Sequence, residues 1–189
     1  MLDNNTFTPN FEFHPLNKTI IDVTRILQGQ AALQNIKFKV NTPDQELIVQ
    51  LDQLRLQQVI INLLSNAIKF SNPNDTIKVD VTTDISALTT SGLVIVCIKV
   101  SDKGIGISPK DLKNLFKPYF KTTDDLNKTK NKDSHGLGLS ICQTIVKSMN
   151  GQLDVESELG IGSIFSITLQ TSVYDKSSQQ KKVSDPILL

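Results

Sequence analysis

The sequence predicts an α+β protein: strands in antiparallel pairs, with several helices covering one face of the sheet. Three observations carry that expectation. In IKVDVTT, Ile77, Val79 and Val81 point one way while Lys78, Asp80 and Thr82 point the other, the pattern of a half-buried strand. The run RLQQVIINLLSNAIKF is apolar around most of a helical circumference, as befits a helix packed on a sheet. Two late strand-like runs flank Leu159-Gly160-Ile161-Gly162 and read as a hairpin. At 189 residues the chain is long enough for one domain with a proper core.

Taken in order, the first ten residues are polar and read as a flexible remnant, followed by a short strand at 11–13. Pro15 is expected to open a helix, where its missing N–H leaves no bond unmade. Leu16, Ile20, Val23 and Leu27 give that helix one buried face. Residues 38–41 and 47–51 read as two strands joined by a turn around Pro43-Asp44. Asp52 is a good N-cap for a helix over 53–70, which Asn72-Pro73-Asn74-Asp75 terminates. Strands follow at 77–83 and 93–101, then a glycine loop from Asp102 to Ile107. Ser108-Pro109 begins a short helix ending near Phe116. A segment without periodicity follows, carrying seven lysines and aspartates from Lys121 to Asp133. A long polar loop inside a compact domain implies a job, such as covering a ligand. Gly136 is expected to start a helix reaching Asn150, with Gly151 as its stop. The hairpin of 152–157 and 163–171 closes the domain, which spans 11–170, and 171–189 read as a disordered tail.

Composition narrows the function classes. Hydrophobic residues at 39% and charged residues at 21% describe an ordinary globular protein. A formal charge of +1 argues against a broad nucleic-acid footprint. The longest apolar run, from Leu93 to Ile98, falls far short of the roughly 20 residues that span a bilayer. The first residues lack the regions of a secretory signal. A cytoplasmic location without membrane contact is therefore expected, although a longer form anchored through further segments is compatible. Cys97 and Cys142 have no cysteine or histidine at metal-ligand spacing and read as small core residues.

The strongest local signal lies in the helix over 53–70. Asn62, Asn66 and Lys69 stand at i, i+4 and i+7, one stripe about 10 Å long on an otherwise apolar helix. Arg55 and Gln58 extend the stripe toward the N-terminus. Buried amides cost several kcal/mol unless partnered, so such a stripe faces either water or something polar. In the second case Asn66 offers an oxygen to Mg²⁺, which keeps several waters when it bridges phosphates, and Lys69 meets phosphate.

Two glycine loops accompany it. In SDKGIGIS, Gly104 and Gly106 let the backbone approach a ligand, and Asp102 at the strand end is an acceptor suited to the adenine amino group. A plain β-turn would use the same residues. In SHGLGLSIC, Gly136 and Gly138 open a helix whose free N–H groups and dipole attract anions. Close packing at a helix start would also call for glycine there. The spacing is neither that of a Walker loop nor that of a dinucleotide fingerprint. Lys121, Lys128, Lys130 and Lys132 precede this seat; one could reach a γ-phosphate, or all could be solvated.

The order DQLRLQQVIINLLSNAIKFS, SDKGIGI, LFKPYF, GLGLSI and GIGSIF resembles the ATP-binding catalytic domain of histidine protein kinases, from about Phe11 to Leu169. The resemblance implies the Bergerat ATP-binding fold, a two-layer sandwich whose mixed, largely antiparallel sheet is covered on one face by helices. It implies ATP and Mg²⁺ as cofactors, with Asn66 on the metal and Asn62 and Lys69 near the phosphates. Asp102 would read adenine beside Gly104, Gly106 and Ile107. Phe116, Phe120 and Lys121 would belong to a lid. Gly136, Leu137, Gly138 and Leu139 would hold the phosphate end, and Gly160 and Gly162 match the family's last glycine pair. Ser134 stands where the family usually has glycine, and Tyr119 where it usually has phenylalanine.

The implied reaction transfers the γ-phosphoryl group of ATP to a histidine on a dimerisation hairpin, and thence indirectly to a receiver domain in a phosphorelay. This sequence offers His14, followed by proline, and His135, in the lid, and neither suits a phosphoacceptor. The acceptor is expected in trans or on a missing N-terminal part. Gyrase-like and chaperone-like relatives carry glutamate where Asn62 stands, and an amide cannot take a proton from water. That favours transfer over hydrolysis. Two alternatives stay open: an ATP-responsive module without phosphoryl transfer, and an anti-sigma-type serine kinase.

Overall fold

The computed structural model describes residues 8–86, 93–121 and 136–174. Expectations for 1–7, for Lys128, Lys130, Lys132, Ser134 and His135, and for 175–189 lie outside them. The chain runs β1 (Glu12–Pro15), α1 (Leu16–Ala32), β2 (Lys37–Asn41), β3 (Ile48–Leu51), α2 (Gln53–Phe70), β4 (Thr76–Asp84), β5 (Leu93–Asp102), α3 (Pro109–Leu112), α4 (Gly138–Ser148), β6 (Gly151–Glu158) and β7 (Gly162–Ser172).

Five strands form the main sheet in the order β2-β4-β5-β7-β6. β2 lies parallel to β4, and the other neighbours are antiparallel. The sheet is therefore mixed and largely antiparallel, as the resemblance implied. The two strands read as joined around Pro43 do not pair with each other. β3 instead forms a small antiparallel sheet with β1, placing His14 opposite Val49. Strands of four or five residues make few ladder bonds, so partners distant in sequence decide where they go.

Helices α1 and α2 pack on each other, α2 packs on α4, and α4 lies against β6. The core fills the space beneath them. Leu56, Val59, Ile60, Leu63, Leu64 and Ile68 of α2 meet Ile77 and Val79 of β4, Val96, Ile98 and Val100 of β5, and Ile167 of β7. Fully burying such side chains contributes roughly 1.5–3 kcal/mol each, so α2, with its apolar face buried along its length, anchors everything that projects from it.

Helix boundaries follow their end chemistry. Asp52 caps α2 by accepting from Arg55 N–H at 3.1 Å, and its other oxygen accepts from Asn10 N–H at 2.9 Å. Residue 10, expected in the flexible remnant, is thereby tied to the domain. Pro15 does not open α1 as expected. It ends β1 in extended conformation, and the first turn of α1 is capped from afar by Glu46, which accepts from Asn17 and Lys18 N–H. At the end of α4 the left-handed position falls on Asn150 (φ 56°), not Gly151. Gly151 begins β6, where a Cβ would collide with Leu169 and the Thr168 carbonyl. The closing hairpin runs past the expected boundary at 170. β7 continues to Ser172, and Tyr174 N–H donates to the Ile48 carbonyl at 2.8 Å, joining the small sheet to the large one. The first residues of the expected tail therefore belong to the fold.

Candidate functional site

The C-terminal half of α2, the end of β5, the start of α4 and the first residues of β7 converge on one cavity of about 280 Å³. Its walls include Asn62, Asn66, Lys69, Asp102, Gly106, Ile107, Phe120, Lys121, Gly136, Gly138 and Leu139 from the sequence reading. The polar stripe of α2 thus faces a cavity, with its residues half-buried between the buried Leu63, Leu64, Ala67 and Ile68.

At this α2–α4 end the parts interlock. Asn66 Nδ2 donates to Asn62 Oδ1 at 3.2 Å, an i,i+4 bond that fixes both amides and leaves the Asn66 oxygen out of that bond. Gly138 sits directly against the Asn62 amide, and a Cβ there would overlap it. The start of α4, with its N–H groups free of intrahelical partners, is thereby held beside the asparagines. Gly136 precedes α4 rather than lying in its first turn. Its φ of 70° belongs to the left-handed region, and a Cβ would lie 2.6 Å from the Phe120 carbonyl oxygen. Phe120 and Gly136, which flank residues 121–135, therefore meet at the cavity wall. The Lys69 ammonium lies 5.1 Å from the Phe70 ring centroid, and Lys121 supplies a second cation to the lining. Cationic side chains and helix N–H groups gather at this end, a setting for an anion.

The β5–β7 end is different in kind. Asp102 is half-buried where β5 ends. Its Oδ1 accepts from Gly104 N–H at 2.8 Å, and its carboxylate also accepts from Ser163 N–H. Burial pushes the Asp102 carboxyl above the usual carboxylate range; those two N–H groups oppose the shift and Asp75 adds to it. The carboxyl thus offers an acceptor of fixed direction in a partly desolvated place.

Not every expected residue lines the cavity. Gly104 lies behind Asp102, where a Cβ would run into the Phe70 carbonyl and where Ile105 N–H donates to that same oxygen at 3.3 Å. Gly162, with φ 137°, packs on the Asp102 backbone, and Gly160 N–H donates to the Ile105 carbonyl at 2.8 Å. These glycines hold the loop rather than line the cavity. Leu137 serves through its carbonyl, which accepts from Ile141 N–H and the Ser140 hydroxyl. Phe116 packs on the core, while its neighbour Leu115 reaches the cavity.

Ala67, Phe70, Leu115, Ser163 and Phe165 complete the lining and escaped the sequence reading. The apolar ones share the periodicity of the core and carry no separate signal. Ser163 had one: it follows Gly162 immediately and pairs across the ladder with Asp102. His14, in β1, is about one-quarter exposed, lies 3.7 Å from Glu12 Oε2 and takes no part in the lining. Cys142 is on the buried face of α4, and burial pushes its thiol up to about 12.

A mixed sheet layered with helices, with a nucleotide-sized cleft between an amide-bearing helix and two glycine loops, defines the Bergerat class of ATP-binding domains. The profile of the histidine kinase-, DNA gyrase B- and HSP90-like ATPase family matches residues 51–173, and the chain belongs to that family. Its relatives include a sensor histidine kinase and a sporulation kinase. It is 39% identical over 140 residues to sensor histidine kinase RcsC of Escherichia coli K12, covering 74% of this chain and 13% of RcsC. It is 36% identical over 160 residues to sporulation kinase C of Bacillus subtilis 168, covering 84% and 34%. The chain thus spans between about an eighth and a third of these relatives. Among solved structures, the catalytic domain of histidine kinase ThkA superposes with a TM-score of 0.67 at 29% identity, over 86% of this chain and 97% of that one. Full-length ShkA in complex with AMPPNP shares the fold, with a TM-score of 0.73 at 21% identity over 89% of this chain and 33% of that one. Among the described residues no helix is long and apolar enough to cross a membrane.

Proposed function

We propose that this chain is the catalytic domain of a histidine kinase that binds Mg²⁺–ATP in the α2–α4–β5 cavity and donates the γ-phosphoryl group to a histidine outside these 189 residues. The observation that carries the reading is the Asn62–Asn66–Lys69 stripe, which turns its amides and a cation into the one end of the cavity where the start of α4 supplies free N–H groups. Asp102 accepts from the adenine amino group while Phe70, Leu115 and Phe165 enclose apolar surface around the base.

The donor set fits Mg²⁺. In this reading the protein ligand is the Asn66 amide oxygen, which lines the cavity and is left out of the bond to Asn62, with phosphate and water oxygens as the rest. A hard cation shared between carboxamide and phosphate needs no more protein than that. When bound, the ion supplies charge neutralisation on the phosphates.

The chain's own residues then do the positioning. Gly138 and the α4 N–H groups seat the triphosphate, Lys69 and Lys121 offset its charge, and Asn62 holds Asn66 in orientation. The acceptor imidazole attacks the γ-phosphorus, the bond to the bridging oxygen breaks, and ADP leaves. Asn62, an amide, cannot deprotonate water, so hydrolysis is slow beside transfer.

The test supplies γ-labelled ATP, Mg²⁺ and a histidine-bearing helical hairpin from a related kinase. Label should appear on the hairpin as acid-labile phosphohistidine and none on His14 or His135. ATP binding without any transfer would favour an ATP-responsive module instead, and stable phosphate on His14 or His135 would contradict the proposal.

A further inference from the structure

Outside the cavity lining, one hydroxyl joins both walls of its β5–β7 end. Ser157, in β6, accepts from Ile107 N–H at 2.9 Å and donates to the Gly162 carbonyl at 2.7 Å, and its Oγ lies 2.9 Å from Ser163 Oγ. A serine hydroxyl has one proton and two lone pairs. With the proton on Gly162, the third bond runs one way only: Ser163 donates to Ser157. The hydroxyl is therefore saturated, with no capacity left for a ligand.

Its three partners are the ends of the two segments that frame Asp102. Ile107 closes the glycine loop that starts at Asp102. Gly162, at φ 137°, rests on the Asp102 backbone, and Ser163 gives its backbone N–H to the Asp102 carboxylate. We infer that Ser157 is a positioning residue for base selectivity: by holding Ile107, Gly162 and Ser163 on one oxygen, it aims the Asp102 carboxylate at the amino group of adenine. This rests on the proposed adenine reading of Asp102. Removing the hydroxyl leaves the Ile107 N–H and the Gly162 carbonyl short of a partner in a part-buried place and frees the Ser163 hydroxyl to turn away.

The test compares the full 189-residue chain with Ser157→Ala and Asp102→Asn. Each is titrated with ATP and with purine riboside triphosphate, which lacks the amino group. Wild type should prefer ATP, and Asp102→Asn should bind the two alike. Ser157→Ala should lose roughly tenfold for ATP and less than about twofold for the analogue, on the scale of one hydrogen bond to a charged group. Equal losses for both nucleotides would make Ser157 a general structural residue and overturn the inference, as would no loss for ATP. If wild type and Asp102→Asn both show no preference, the adenine reading itself fails, a result separable from the other two. Should Ser157→Ala not fold, the near-isosteric Ser157→Cys, a weaker hydrogen-bonding group, should give the same selective loss in smaller measure.

Discussion

At the α2–α4 end of the cavity, the polar groups come from one helix in register and from the helix start beside it. Asn62 and Asn66 bond each other within α2, and Gly138 of α4 packs directly against the Asn62 amide. At the β5–β7 end, Asp102 is held by residues from the β6–β7 hairpin some sixty positions away, through Ser163, Ser157 and the Gly160–Ile105 bond. The first end is a local pattern that becomes a site once its helix is buried. The second becomes a site only after long-range ladders have formed. Damage to the first should therefore remove a specific contact, whereas damage to the second should blur orientation.

The largest effect is expected at Asn66. Asn66→Ala removes the amide oxygen and should weaken Mg²⁺–ATP binding roughly 10- to 100-fold by calorimetry, while thermal stability changes little because the residue is half-exposed. Gly138→Ala comes next. Its methyl group overlaps the Asn62 amide, so it should cost about 1–3 kcal/mol of stability in denaturant unfolding and also weaken nucleotide binding by displacing the Asn62–Asn66 pair. An Asn66→Ala variant as destabilised as Gly138→Ala would erase the distinction between contact and scaffold.

Asp102 carries a pH signature. Its carboxyl is raised in the folded protein, so the folded state binds more protons than the unfolded state across the window above the ordinary value of 3.8. Stability linked to this group is therefore fully present below that value and falls as pH rises through the raised one. Binding runs oppositely, because only the ionised carboxylate is a pure acceptor. The preference for ATP over purine riboside triphosphate should shrink on acidification through the raised value. Asp102→Asn should remove that pH dependence and leave the free protein at least as stable at neutral pH. A preference flat with pH would sink the role given to Asp102.

A smaller effect is expected far from the cavity. Asp52→Ala removes the cap on α2 and the tie to Asn10, and should cost about 1–2 kcal/mol in thermal or denaturant unfolding. ATP affinity at the folded plateau should stay unchanged. A change in affinity without a change in stability would mean that the α2 N-terminus takes part in the site.

The same contrast explains what the sequence disclosed. Helix α2 was readable residue for residue because Asp52, the apolar face and Asn72-Pro73 are local signals, and the spacing of Asn62, Asn66 and Lys69 is intrinsic to a helix. β2 and β3 were legible as strands, yet their partners were not, since four- or five-residue strands contain no signal for β4 or β1. The residues missing from the predicted site, Ala67, Phe70, Leu115 and Phe165, face the cavity with side chains that would serve equally in a core. Ser157 gave no sign at all. Its importance lies in three bonds to chain segments that meet only in the folded protein.

The most direct test of the central claim is calorimetric titration of the 189-residue chain with ATP in the presence of Mg²⁺, alongside Asn66→Ala, Asp102→Asn and Gly138→Ala. The expected result is binding with a dissociation constant on the order of micromolar, weakened in all three variants. No binding by the wild type, or binding unchanged in all three, would contradict it.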